Sequence, residues 1–246
     1  MSRNASGVLY IVSTPIGNLE DISLRALRTL REVDLIVAES VRVTRTLLRH
    51  FEIETPVVAI ATRCKESIVQ ELIDKLTDGQ SLALVCDAGT PLISDPGQRF
   101  ARRACKEHID IKAIPGASAG LAALTVSGLI FSGFVFLGSP PRTILARTLF
   151  FSSVNLEIKP IIIYESSRYL KSALESLCNE LDPGREIVIL FNLTCPSEKS
   201  YRGSLAEMKQ IFASPERGQY VLIIGGKHRI SDQSTTANAE IYTPNK

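Results

Sequence analysis

Short apolar runs of strand length alternate with amphipathic stretches along most of this chain. The apolar, β-branched runs predict strands at Val8–Ser13, Leu35–Glu39, Val57–Ala61, Leu82–Cys86, Ile109–Ile114, Phe134–Gly138, Ile161–Glu165, Ile187–Asn192 and Tyr220–Gly225. Between them the apolar positions recur at helical spacing, which predicts helices over Ile22–Arg31, Val43–His50, Glu66–Leu76, Gln98–Glu107, Ala117–Ser127, Ala146–Phe151, Tyr169–Glu180 and Ser204–Phe212. Regular alternation of strand and helix implies an α/β fold with mostly parallel sheets. Nine strands would make a wide single sheet, and Pro140-Pro141 fit neither a helix interior nor a central strand. Two domains are therefore expected, at 1–137 and 138–228, with a cleft between them. The polar segment 229–246 has little to bury and is expected to be disordered.

Composition narrows the picture without deciding a partner. With 246 residues, 45% hydrophobic and 22% charged, the chain reads as globular, with a core large enough for two domains. A net charge of +2 means that any nucleic-acid surface is a local patch. No apolar stretch reaches the length of a membrane span and no charged leader precedes an apolar segment at the N-terminus, so a cytoplasmic protein is expected. The five cysteines are scattered with no C-x-x-C pair, and the three histidines are equally dispersed, so neither a disulfide framework nor a metal site is expected.

The chemistry concentrates at strand ends. Cys86-Asp87-Ala88-Gly89-Thr90-Pro91-Leu92-Ile93-Ser94-Asp95-Pro96-Gly97 follows a buried strand and brings two carboxylates, hydroxyl and thiol groups, and glycines to one sheet end, where open α/β sheets bind ligands. A turn leading into a helix, with Asp95 as its cap, would explain Gly89 and Pro91 but leaves Asp87 without a role. Two more strand ends carry similar loops, Ser13-Thr14-Pro15-Ile16-Gly17-Asn18-Leu19 and Ile114-Pro115-Gly116-Ala117-Ser118-Ala119-Gly120. In a parallel sheet the three emerge on one face and can converge on a small ligand. Neither the dinucleotide fingerprint nor the P-loop occurs, so a nucleotide-like ligand must be held another way. Arg25, Arg28 and Arg31, like Arg99, Arg102, Arg103 and Lys106, fall on single helix faces and read first as solvated surface. Arg42, Arg45 and Arg49 lie closer to the expected cleft.

These segments, together with Leu9-Tyr10-Ile11-Val12, Ala38-Glu39, Arg42, Thr44-Arg45, Tyr164-Glu165-Ser166, Leu193-Thr194 and Arg202-Gly203-Ser204-Leu205-Ala206-Glu207, resemble the tetrapyrrole-methylase superfamily. Within it they most resemble the branch that methylates cytidine 2′-hydroxyls of small-subunit (16S) ribosomal RNA. The resemblance runs from about residue 8 to residue 226. It implies a two-domain α/β methyltransferase that binds S-adenosylmethionine between its domains, works as a homodimer and acts on ribosomal RNA or the small ribosomal subunit. Carried over position by position, it implies cofactor contacts from Pro15, Gly17, Asp87, Ala88, Gly89, Thr90, Ser118 and Ala119, with Leu137, Tyr164 and Leu193 contributed from the second half. Arg42 and Arg45 become the candidate RNA-binding residues, and Glu39 and Asp21 the candidates for the base that deprotonates the hydroxyl. Several second-half motifs depart from the pattern, among them Ser139-Pro140-Pro141-Arg142-Thr143, Ser166-Ser167-Arg168-Tyr169 and Phe191-Asn192-Leu193-Thr194-Cys195. Methylation of a tetrapyrrole or another small molecule, or cofactor binding without catalysis, are the alternatives these departures leave open.

Overall fold

A computed structural model describes residues 6–61, 64–155 and 157–227. The expected disordered tail, 229–246, lies outside the described residues. The elements in chain order are β1 (Val8–Val12), α1 (Leu24–Glu32), β2 (Leu35–Ala38), α2 (Val41–His50), β3 (Val57–Ala59), α3 (Glu66–Thr77), β4 (Leu82–Val85), α4 (Gln98–Lys106), β5 (Asp110–Ile114), α5 (Ala119–Thr125), β6 (Val135–Gly138), α6 (Ile144–Val154), β7 (Ile161–Ser166), α7 (Ser167–Glu180), β8 (Glu186–Phe191), β9 (Lys199–Ser204), α8 (Leu205–Ile211) and β10 (Gln219–Ile224). Two five-stranded sheets result, ordered β3-β2-β4-β1-β5 and β6-β7-β10-β8-β9. The chain divides into two compact units. One runs up to Val126 and includes Leu190–Lys199; the other comprises Ser127–Ile189 and the chain from Ser200 on.

The first sheet is parallel throughout, with β1 between β4 and β5 and β2 between β4 and β3. Its strands alternate their side chains between two cores. Leu9, Val37, Leu82 and Leu84 pack with Val69, Leu72, Ile73 and Leu76 of α3 and with Phe100 and Ala104 of α4. Val12, Ile36, Ala83 and Val85 face the other way, onto Ala26 and Leu30 of α1 and Leu47 and Leu48 of α2. Burial on both faces explains why these strands read as continuous apolar runs. Helices α1 and α2 start where Ser23 and Ser40 accept the N–H groups of Ala26 and Val43.

The second sheet departs from the sequence expectation in three respects. Strand β10 pairs with β7 antiparallel, so this sheet is mixed, although β6 and β7 run parallel. Strand β6, expected in the first half, belongs to this sheet, and the unit accordingly begins at Ser127 rather than at residue 138. Strand β9, with the sequence KSYRGS, has only half-buried or exposed residues and sits at the sheet edge, so it carries no apolar pattern to reveal it. Helix α8 follows it behind a capping box in which Ser204 and Glu207 satisfy each other's backbone N–H groups.

Candidate functional site

Strands β1 and β4 lie side by side, but the connection leaving β1 runs to β2 and the one leaving β4 runs to β5, in opposite directions and over opposite sheet faces. Such a reversal opens a crevice at the carboxyl ends of the two strands. The loops that meet there are bonded to one another. Thr14 and Gly89 exchange both backbone hydrogen bonds, at 2.9 and 3.1 Å, and the Thr14 hydroxyl donates to the Cys86 carbonyl at 3.1 Å. The Ser13 hydroxyl reaches Thr90 Oγ1 at 3.2 Å, and Thr90 donates in turn to the Ala117 carbonyl at 3.2 Å, which ties in the loop after β5. The three loops singled out in the sequence therefore form one continuous floor.

Backbone conformation supports the same placement. Gly89 has φ +85°, a value that an L side chain rarely adopts, and Leu92 in the same loop is held at φ 74° despite its branched side chain. Strain of this kind persists where surrounding contacts over-determine the backbone, and it gathers at ligand sites. A Cβ on Gly17 would stand 2.5 Å from the Leu193 carbonyl oxygen, so only glycine lets Leu193-Thr194-Cys195 approach the β1 loop. The Asn18 N–H donates to Thr194 Oγ1 at 3.0 Å and completes that contact. Leu193 thus lies with the first unit, beside Gly17. Leu137 and Tyr164 lie in the second unit, on β6 and β7, where the rings of Phe136 and Tyr164 meet edge to face.

Three carboxylates gather at the head of this floor. The Asp87 N–H donates to Glu39 Oε2 at 3.3 Å, and Asp95 approaches the Cys86 thiol. Loss of hydration pushes all three carboxyl groups above their ordinary values; repulsion from Asp87 and Asp95 adds to the effect on Glu39, while Arg42 and the Ser40 N–H partly offset it at Asp87. Burial and Asp95 also raise the Cys86 thiol, which keeps it protonated and inert. A cavity of about 250 Å³ opens beside Asp87, lined by Thr14, Pro15, Leu19, Arg42, Thr44 and Leu47 among others. The buried Thr44 hydroxyl at its wall has no hydrogen-bond partner.

The structure sorts the sequence candidates. Pro15, Gly17, Asp87, Ala88, Gly89 and Thr90 come together, and Ser118 and Ala119 start α5 just after Ala117. Glu39 joins Asp87, whereas Asp21 ends an exposed 3-10 turn whose N–H bonds to Asn18. Arg42 lines the Asp87 cavity, but Arg45 faces a separate hollow with Arg49, Glu52 and Glu54. The unpartnered Thr44 was not among the candidates, because a threonine in an amphipathic helix shows no sequence signal for a missing partner. Among the described residues no group of three or more His, Cys, Asp or Glu side chains could hold a metal ion, and no helix is long and apolar enough to cross a membrane.

Comparison with known proteins gives this arrangement its context. Residues 8–209 match the family of tetrapyrrole (corrin/porphyrin) methylases. The chain belongs to that family. It is 41% identical to the ribosomal RNA small subunit methyltransferase I of Halalkalibacterium halodurans over 225 residues, which cover 91% of this chain and 78% of the relative. With the protein of the same name from Streptococcus pyogenes serotype M1 it shares 38% over 242 residues, 98% of this chain and 84% of that one. Among solved structures, cobalt precorrin-4 methyltransferase superposes with a TM-score of 0.66 at 18% identity, covering 89% of this chain and 94% of that one. The uroporphyrin-III C-methyltransferase of Thermus thermophilus, complexed with S-adenosyl homocysteine, gives 0.63 at the same identity, with 89% and 97% covered. These likenesses establish the α/β methylase fold. Membership in the methylase family makes the chain an enzyme of methyl transfer.

Proposed function

We propose that this enzyme transfers a methyl group from S-adenosylmethionine to the 2′-hydroxyl of a cytidine in small-subunit ribosomal RNA. The name shared by relatives at 38–41% identity over nine-tenths or more of the chain carries the substrate part of this reading. The cofactor part draws on the site itself. Glu39, Asp87 and Asp95 concentrate negative charge around one crevice, with Arg42 opposing it at Asp87, which suits a ligand bearing a sulfonium and an ammonium group. Pro15, Gly17, Asp87 to Thr90, Ser118, Ala119 and Leu193 would hold it. Leu137 and Tyr164 remain proposed contacts from the second unit.

When bound, S-adenosylmethionine would supply an electrophilic methyl carbon, with the neutral thioether S-adenosylhomocysteine as its leaving group. The protein's tasks are to line up the ribose oxygen behind that carbon, to exclude water, and to take the hydroxyl proton as the new O–C bond forms. We assign the proton to Glu39 rather than Asp21, because Glu39 is half-buried beside Asp87 and its raised proton affinity suits a base, whereas Asp21 stands on an exposed turn. Arg42 and Arg45, exposed on successive turns of α2, would hold RNA phosphates. The homodimer and the cytoplasmic location belong to the same proposal.

Methylation of a tetrapyrrole is the second reading, favoured by the family's corrin and porphyrin members. Transfer of labelled methyl from S-adenosylmethionine to small ribosomal subunits or to their free RNA, with uroporphyrinogen as competing acceptor, separates the two. Label in RNA ribose supports the proposal. Label only in the tetrapyrrole overturns it.

A further inference from the structure

The second unit gathers three arginines around one tyrosine ring. The guanidinium carbons of Arg142, Arg168 and Arg147 lie 4.3, 5.3 and 5.8 Å from the centroid of the Tyr169 ring. One carboxylate serves two of them: fully buried Glu165 pairs with Arg147 at 2.9 Å and with Arg142 at 3.5 Å, while also accepting the Ser166 N–H at 3.0 Å. Among the described residues Arg168 has no acidic partner. The Nε and Nη1 atoms of Arg147 are buried with no acceptor. Donors outnumber acceptors here, and the cluster carries an excess of two positive charges.

The helices make the imbalance larger. Helices α6, with 11 residues, and α7, with 14, both begin at this cluster, and neither Thr143 nor Ser166 caps its helix with a side-chain bond. Neither first turn contains an acidic residue, and Arg168 stands in the first turn of α7. A helix N-terminus carries a partial positive charge and disfavours a cation placed there. Two such ends and three guanidiniums around one tyrosine ring, with a single carboxylate among them, form an arrangement that an incoming anion would relieve. Arg142 and Arg168 are exposed, so an anion can reach them from solvent.

We propose that Arg142, Arg168 and the N-termini of α6 and α7 form a docking site for the phosphate backbone of the RNA substrate, remote in sequence from the methyl-transfer crevice. The cation–π stacking on Tyr169 holds the two exposed guanidiniums in a fixed fan, which spares the ordering cost of free arginine side chains. Half-buried Arg147 and buried Glu165 position the fan. This inference rests on the ribosomal RNA reading above.

The test is the salt dependence of binding to a small-subunit ribosomal RNA fragment, by fluorescence anisotropy, for the parental enzyme, the Arg142→Ala/Arg168→Ala variant and Arg102→Ala. Arg102 is exposed on α4 and controls for simple loss of charge. Each phosphate contact contributes about 0.7 to 0.9 to the slope of log affinity against log salt, depending on whether the strand is single or paired. The double variant should lose about one to two units of slope and bind at least tenfold more weakly at low salt, with cofactor affinity and melting temperature unchanged; Arg102→Ala should match the parent. An unchanged slope in the double variant, whether or not its melting temperature falls, overturns the docking site while leaving the ribosomal RNA reading intact. A parental enzyme with no salt-dependent affinity for the RNA overturns both.

Discussion

Replacing Asp87 with asparagine keeps the volume and the backbone N–H that donates to Glu39, and removes only charge. Two opposite charges about 4 Å apart gain about 4 kcal/mol at an effective dielectric of 20. Asp87 is exposed at the mouth of its cavity, and Arg42 already faces it, so the attainable part is smaller. A charged hydrogen bond to the cofactor is worth about 1.5–3 kcal/mol, or a loss of roughly 10- to 150-fold in affinity. The fold should not suffer: in the parent, loss of hydration disfavours the charged carboxyl, so the neutral amide should leave the melting temperature unchanged or raise it. Calorimetric titration of S-adenosylmethionine into parent and variant, with thermal melts alongside, reads both quantities. Parental affinity in a folded variant would remove Asp87 from the site and refute the electrostatic argument built on it.

Other outcomes follow from the same geometry. Because Glu39, Asp87 and Asp95 all bind protons more tightly in the fold than in the unfolded chain, their contribution to stability is present below the ordinary carboxylate range and is lost as pH rises through their raised values. Cofactor affinity should move the opposite way, weakening as pH falls through those values, and Asp87→Asn should flatten that profile in pH-dependent titrations. Gly17→Ala, whose Cβ would collide with the Leu193 carbonyl, should release the 193–195 segment, visible as faster amide exchange at Asn18, and should weaken cofactor binding. Leu84→Ala, at a fully buried position on β4 packed against Gly97, should cost about 2–5 kcal/mol in denaturant unfolding. Replacing Arg42 and Arg45 together with alanine should flatten the salt dependence of RNA binding by about one to two units, with cofactor affinity unchanged or raised because Arg42 opposes the Asp87 charge; an unchanged slope would assign both to solvent.

Where the hydrophobic pattern carried information, the sequence located the elements to within a few residues. The first sheet is the clearest case: strands β2 and β4 are buried along their whole length and read as LIVA and LALV. Strand direction in the second sheet was not legible, because antiparallel pairing of β10 with β7 depends on where intervening helices pack rather than on the apolar runs themselves. The polar edge strand β9 was invisible for want of burial. At the site, turn chemistry marked the three strand-end loops, but their order, and hence the meeting of Glu39 with Asp87, follows from a sheet order that adjacent sequence does not encode. The arginine fan around Tyr169 lay hidden in the same way, since its members are up to 26 positions apart and belong to motifs that read only as departures from the family pattern.

The most direct test of the central claim is mass spectrometry of small-subunit ribosomal RNA fragments from cells with and without this protein, followed by restoration with the parental enzyme and with Asp87→Asn. The account predicts one cytidine that carries a ribose methyl group only when the protein is present, restored fully by the parent and poorly by the variant. Identical ribose methylation of the RNA in cells with and without the protein would contradict it.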